Sequence, residues 1–257
     1  FSILCAIEFH NYVRQKKYDY ALIRGDRYEM MGLAMIATYH SIPIAHIEGG
    51  DLSGVIDNRI RHAITHLSDY HFCTNDESLV RLITMGVPVD RVWNYGSLDV
   101  EFASKVEPKN IKEKPYILVA YHPLEGEDEI EVGKALSHFT EYEVVGIISN
   151  RDYGKTFGDE SYSPEEYVNL ISNASCCVGN SSSFLKEASI LGVPVVNIGS
   201  RQDKRLKPKN VLDVPCDSER IRKGIEFQLK NSFDKDFTYY KPDTSQRIAE
   251  KLKELNE

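Results

Sequence analysis

The chain has little that would hold a metal, a membrane or a nucleic acid. Its 257 residues include five cysteines: Cys5, Cys73, Cys176, Cys177 and Cys216. Their number is odd and none has zinc-site spacing, so neither a disulfide framework nor a structural zinc is expected. They sit mostly in apolar, strand-like contexts and read as reduced core thiols of a cytoplasmic protein. No apolar run approaches the roughly 20 residues that span a bilayer. The N-terminus lacks a basic region followed by a long apolar core, so no signal peptide is expected. Positive charge is in deficit, with 31 Lys and Arg against 39 Asp and Glu and a net charge of −8. That argues against a nucleic-acid surface, which needs a basic field. An anionic substrate must then be held by local donors. There is no internal repeat and no low-complexity tract. The charged run Lys109 to Lys114 reads as a solvated linker.

What is present is the alternation of an α/β protein, short apolar runs between amphipathic stretches. Strands are predicted at Tyr20–Arg24, Ile42–Ile47, Tyr70–Cys73, Arg91–Tyr95, Tyr116–Tyr121, Glu143–Ile148, Cys176–Val178, Val195–Ile198 and Val211–Val214. Several are continuous apolar runs, as parallel strands buried on both faces require. The clearest helix starts at Asp57, its expected N-cap, with Ile60, Ala63, Ile64 and Leu67 forming one stripe. The opening segment reads as a helix with Ile3, Leu4, Ile7, Phe9 and Val13 on its apolar face. Pro108, Pro115 and a lysine cluster interrupt the pattern, which sets a boundary near 107/108. The expected division is an N-terminal Rossmann-like domain over 1–107, a C-terminal nucleotide-binding one over 108–239, and a helix over 240–257 returning toward the first. Two such domains facing each other would put the C-terminal ends of both sheets on one cleft.

The most informative stretch runs from Gly179 to Gln202, GNSSSFLKEASILGVPVVNIGSRQ. It reads as a strand end, a polar turn, a helix and a second strand. Asn180, Ser181, Ser182 and Ser183 stand where the helix begins. Free N–H groups and the positive end of the helix dipole make such a turn a seat for phosphate. Glu187 follows one to two turns in, placed for ribose hydroxyls, and Arg201 follows the next strand. The alternative is an ordinary capped α/β turn.

Four further motifs fall at predicted strand or helix ends. RGDRYE carries Asp26 and Arg27, and HIEGGDLSG carries Glu48 before two glycines. IDNRIRHAITHLS carries Asp57, Asn58, Arg61 and His62, with Asp57 and Arg61 on one helical face. VAYHPLEG carries His122. Each could be a mere cap or a surface pair. Their convergence on strand ends favours a site. His46, His66 and His71 read as structural.

The segment AHIEGGDLSGVIDNRIRHAITHLSDYHF, with GDRYE before it and VGNSSS and GVPVVNIGSRQ after it, resembles the UDP-N-acetylglucosamine 2-epimerase family. IRHAIT resembles the hydrolysing branch, which makes N-acetylmannosamine or related sugars for sialic-acid-type pathways. The resemblance runs from about Tyr18 to Val214 and implies two Rossmann-like domains in a glycosyltransferase-B arrangement, a UDP-sugar substrate, no cofactor, and self-association as a dimer or tetramer. It implies catalytic roles for Asp26, Glu48, Asp57, Arg61 and His122. It implies substrate binding by Ser181, Ser182 and Glu187, with Arg201 a further contact, and the motif positions of Arg27, Asn58 and Asn180 add them to the expected substrate-binding set. Asn58 departs from the family, which often has an acid there. Relatives carry a first strand and a glycine-rich turn ahead of Phe1, so the first domain is expected to be N-terminally truncated. The stretch between Asp152 and Pro164 is shorter than expected. A glycosyltransferase of the same architecture and a non-catalytic nucleotide-binding homologue are the competing readings.

Overall fold

A computed structural model describes residues 2–147 and 162–257. The elements run α1 (Ser2–Val13), β1 (Ala21–Arg24), α2 (Tyr28–Tyr39), β2 (Ile44–Ile47), α3 (Asp57–Leu67), β3 (Tyr70–Cys73), α4 (Asp76–Thr84), β4 (Val92–Asn94) and α5 (Leu98–Lys105). They continue with β5 (Tyr116–Ala120), α6 (Glu129–Leu136), β6 (Glu143–Gly146), α7 (Pro164–Ser172), β7 (Cys176–Gly179), α8 (Ser182–Leu191), β8 (Val195–Ile198), β9 (Val211–Val214), α9 (Ser218–Gln228) and α10 (Thr244–Glu254). All nine expected strands are present, with ends shifted by a residue or two. Pro43, which has no N–H to give a ladder, delays β2 to Ile44. The shortened stretch between Asp152 and Pro164, and the predicted strand end at Ile148, fall mainly or wholly outside the described residues.

The chain divides into two compact units, Phe1–Leu98 with Lys241–Glu257, and Asp99–Tyr240. The first break thus precedes the 107/108 boundary drawn from the prolines. The reason is packing: Val100 and Ala103 of α5 bury into a cluster with Val168, Ile190 and Tyr239.

The first unit holds a four-stranded parallel sheet ordered β1-β2-β3-β4. One face packs on α1, α2 and α3 through Ile23, Ala34, Ala37, Ile44 and Ile64. The other is covered by α10, whose Ile248 meets Ala45, Ile47 and Phe72. Thr244 fixes the start of α10 by donating to the Tyr95 carbonyl at 2.6 Å, and Arg247 stacks 4.1 Å from the Tyr95 ring. On α1 only Val13 is buried, with Phe9 packed beside it. Ile3, Leu4 and Ile7 of its apolar face are exposed.

The second unit holds a five-stranded parallel sheet ordered β6-β5-β7-β8-β9. Its central strands β5, β7 and β8 are buried throughout, and two clusters sandwich the sheet, one with α6 and α9 and the other with α7 and α8. Gly179 ends β7 with φ +145°, where a Cβ would stand 2.1 Å from the Ala120 carbonyl oxygen. Only glycine lets β5 and β7 approach so closely at the edge where the polar turn begins.

Candidate active site

In the first unit the polar residues gather at the C-terminal ends of β1 and β2, which are neighbours in parallel register. Asp26 lies two residues past β1 and Glu48 one residue past β2. Arg61 organises the group. It is 2% exposed, so its bonds are made in the interior. Its Nη2 donates to the Asp26 carboxylate. Its Nη1 donates to the Asp51 carbonyl at 2.7 Å and to Asn58 Oδ1 at 2.8 Å. A buried guanidinium needs these acceptors, since losing one leaves a desolvated charge. The stripe on α3 explains its placement: Ile64 and Thr65 bury beside it, and Arg61 is one helical turn back on the same side.

Glu48 is buried, with φ +67°, a conformation few non-glycine residues hold. It accepts from Arg24 Nη2 at 3.1 Å and from Ser97 Oγ at 3.4 Å. The glycines after it serve the protein itself. A Cβ on Gly50 would stand 2.5 Å from the Ser78 carbonyl oxygen, so glycine lets this loop lie against α4. Asp51, which the sequence reading passed over, pins the same loop. Its Oδ1 accepts from Thr74 Oγ1 at 2.9 Å and from Ser78 Oγ at 2.7 Å.

His46 lies fully buried beneath these loops. Its Nε2 pairs with the Gly25 carbonyl at 3.0 Å, one residue before Asp26, and its Nδ1 stands 3.3 Å from Thr65 Oγ1. Burial pushes its pKa down to about 4, so the ring is neutral and structural. His71 is likewise pushed down to about 3 by burial. Burial and the adjacent Arg61 lower His62.

Two sequence expectations need correction. Asp57 is the first residue of α3, not its cap. Ile56 holds the cap position and makes no side-chain cap bond. The Asn58 side chain is spent inside the protein. Its Nδ2 donates to the Ser53 carbonyl at 2.6 Å, and its Oδ1 accepts from Ser53 N at 2.8 Å as well as from Arg61. Asn58 therefore ties the loop before α3 to the guanidinium. Arg27 Nε donates to Glu29 Oε1 at 2.5 Å.

In the second unit the site residues gather past β5, β7 and β8, adjacent strands of the sheet. Asn180 joins the three loops. Its Oδ1 accepts from His122 N and its Nδ2 donates to His122 O, both at 2.8 Å. Its own carbonyl accepts from Arg201 Nη1 at 3.1 Å and Gln202 Nε2 at 2.7 Å. At 0% exposed, Asn180 offers no surface to a ligand. It holds His122 and Arg201 in place. Ser181 is the N-cap residue of α8, Ser182 its first residue, and Glu187 follows on the same helix. Gln202 and Glu127 were missed by the sequence reading. Glu127 Oε1 accepts from Ser200 N at 3.1 Å, across from a glycine at 199 whose Cβ would collide with it. Neither residue carries a local signal in the sequence.

With two polar clusters at the C-terminal edges of two parallel sheets, comparison with known proteins becomes decisive. A sequence profile of the UDP-N-acetylglucosamine 2-epimerase family matches residues 3–253. The chain belongs to the UDP-N-acetylglucosamine 2-epimerase family. Among its relatives, polysialic acid biosynthesis protein P7 of Escherichia coli is 32% identical, over 90% of this chain and 67% of its own length. A UDP-N-acetylglucosamine 2-epimerase of Neisseria meningitidis is 30% identical, over 90% of this chain and 70% of its own. A hydrolysing UDP-N,N'-diacetylbacillosamine 2-epimerase of Legionella pneumophila is also 30% identical, over 92% and 71%. The fold matches the crystal structure of a Neisseria meningitidis UDP-GlcNAc 2-epimerase bound to UDP-GlcNAc, with TM-score 0.80, 17% identity, and 98% of this chain against 81% of that one. This epimerase-family chain thus shares the parallel α/β fold of its neighbours.

Proposed function

We propose that the protein is a hydrolysing sugar-nucleotide 2-epimerase that converts UDP-N-acetylglucosamine, or a close relative of it, and water to N-acetylmannosamine and UDP. The C2 proton of this sugar is not next to a carbonyl, so no ordinary base removes it from the ground state. The C1–O bond must break first, with its electron pair leaving on UDP. Positive charge at C1 then acidifies C2, a carboxylate takes the proton, and a glycal remains. Water adds to C1 while a proton returns to C2 from the opposite face. Two acid/base groups are needed, together with donors that stabilise the departing diphosphate.

Asp26, Glu48 and Asp57 are the candidate proton carriers. Arg61 holds Asp26. In the second unit the α8 N-terminus with Ser181 and Ser182 is the candidate diphosphate seat, with His122 and Arg201 beside it and Glu187 for the ribose. The observation that carries the reading is the Asp26 carboxylate held by buried Arg61, with Glu48 at the end of the neighbouring strand, an arrangement no ordinary helix cap requires. The test is incubation of the protein with UDP-N-acetylglucosamine. Free UDP and N-acetylmannosamine in equal amounts are expected. Absence of UDP release with every plausible sugar nucleotide would discard the hydrolase.

A further inference from the structure

We infer that Tyr167 and Ser183 are positioning residues that keep the Ser181 hydroxyl off the α8 amides, so that both the amides and the hydroxyl stay available to a diphosphate. The inference rests on the reading of α8 as the diphosphate seat. Ser181 has the extended backbone of an N-cap, φ −69° and ψ 141°. From that conformation a serine hydroxyl ordinarily accepts from the N–H two or three residues on. Ser163 at the start of α7 does so, accepting from Glu166 N. The Ser181 side chain makes no such bond.

Its hydroxyl bonds instead to Ser183 Oγ at 2.8 Å, and Ser183 Oγ bonds to the Tyr167 hydroxyl at 2.5 Å. Ser183 is buried, and Tyr167 comes from α7, packed against the core under α8. Three hydroxyls in a row each donate once, and the chain can run in either direction. An anion at α8 only accepts, so it selects one direction: Tyr167 to Ser183, Ser183 to Ser181, Ser181 to a phosphate oxygen. No proton changes owner. Each bond polarises the next.

Without the Tyr167 hydroxyl, Ser183 has a weaker hold on Ser181, which can then swing onto the amides and cap the helix. A ligand must displace that cap. Caps of this kind are worth about 1 kcal/mol, or about fivefold in affinity.

The test measures UDP affinity by calorimetry and uridine affinity by ligand-observed NMR, on the full chain and on Tyr167→Phe, Ser183→Ala, Ser181→Ala and the double variant Ser181→Ala/Tyr167→Phe. We expect Tyr167→Phe and Ser183→Ala each to weaken UDP about fivefold and to leave uridine unchanged. The double variant should bind UDP no more weakly than Ser181→Ala alone, because Tyr167 acts through Ser181. Unchanged UDP binding in both single variants, equal losses for UDP and uridine, or additive losses in the double variant would each overturn the inference. Failure of the unmodified chain to bind UDP at all would instead bring down the functional reading, and this inference with it.

Discussion

The two polar clusters are built on opposite principles. That of the first unit is a knot of charge: a buried guanidinium, a carboxylate against it, a second buried carboxylate on strained backbone, and a neutral histidine beneath. That of the second unit is built mainly of amides and hydroxyls, with Asn180 as the joint, Arg201 bonded to its carbonyl and a row of three hydroxyls at the mouth of a helix. A charged knot suits groups whose protonation must change during a reaction. A cradle of N–H and O–H donors beside a fixed cation suits a ligand whose charge is fixed. The difference teaches that substitutions in the first cluster should alter turnover and pH response, whereas those in the second should alter binding.

The largest effect should come from Asp26→Asn. Loss of one charged acid/base group should lower the rate of UDP release by about 10³-fold with UDP affinity within about twofold, since UDP is assigned to the other cluster. Equal loss of UDP binding would erase the contrast. Next is Arg61→Ala, which strands the Asp26 carboxylate and the Asp51 carbonyl. It should destabilise the chain by about 3 kcal/mol, read as a lower urea midpoint.

Asn58→Asp sharpens the comparison by its sign. A carboxylate cannot donate to the Ser53 carbonyl, and its charge would compete with Asp26 for Arg61. Turnover should fall, by about tenfold if one hydrogen bond is lost. A gain in activity would mean that the position wants an acid and that the present protein is impaired.

In pH the contrast should also be visible. Burial lowers His46 to about 4 in the folded chain, against about 6.5 unfolded. The unfolded state therefore takes up a proton first as pH falls, and folded stability declines from about pH 6.5 downward. By pH 5 the loss from His46 is about 2 kcal/mol. Thermal unfolding of the wild-type chain and of His46→Gln should show a shallower slope in the variant. In the second cluster a modest effect is expected from Asn180→Ala, which loosens His122 and Arg201 together. It should raise KM for the sugar nucleotide about tenfold with a smaller change in kcat.

Much of this architecture was legible in the sequence because apolar runs and their spacing are local signals. Nine strands and the α3 stripe follow from them. The positions of Asp26, Glu48 and Ser181 at element ends follow from the strands. What escaped were bonds between segments distant in sequence. Asn58 read as a degraded acid because nothing local shows that Ser53 needs its amide. Asp51 looked like part of a glycine loop, yet its partners lie on and before α4. Tyr167 sits in an unremarkable helix, sixteen residues from the serine it bonds. The unit boundary was misplaced because prolines mark where a chain turns, whereas Val100 and Ala103 decide which core α5 joins.

The most direct measurement is the reaction run in heavy water with UDP-N-acetylglucosamine. If the carboxylates of the first unit move the C2 proton, each N-acetylmannosamine formed carries one deuterium at C2 and matches one UDP released, and Asp26→Asn abolishes both. UDP release without inversion, or inverted sugar that keeps its original hydrogen at C2, would contradict the account.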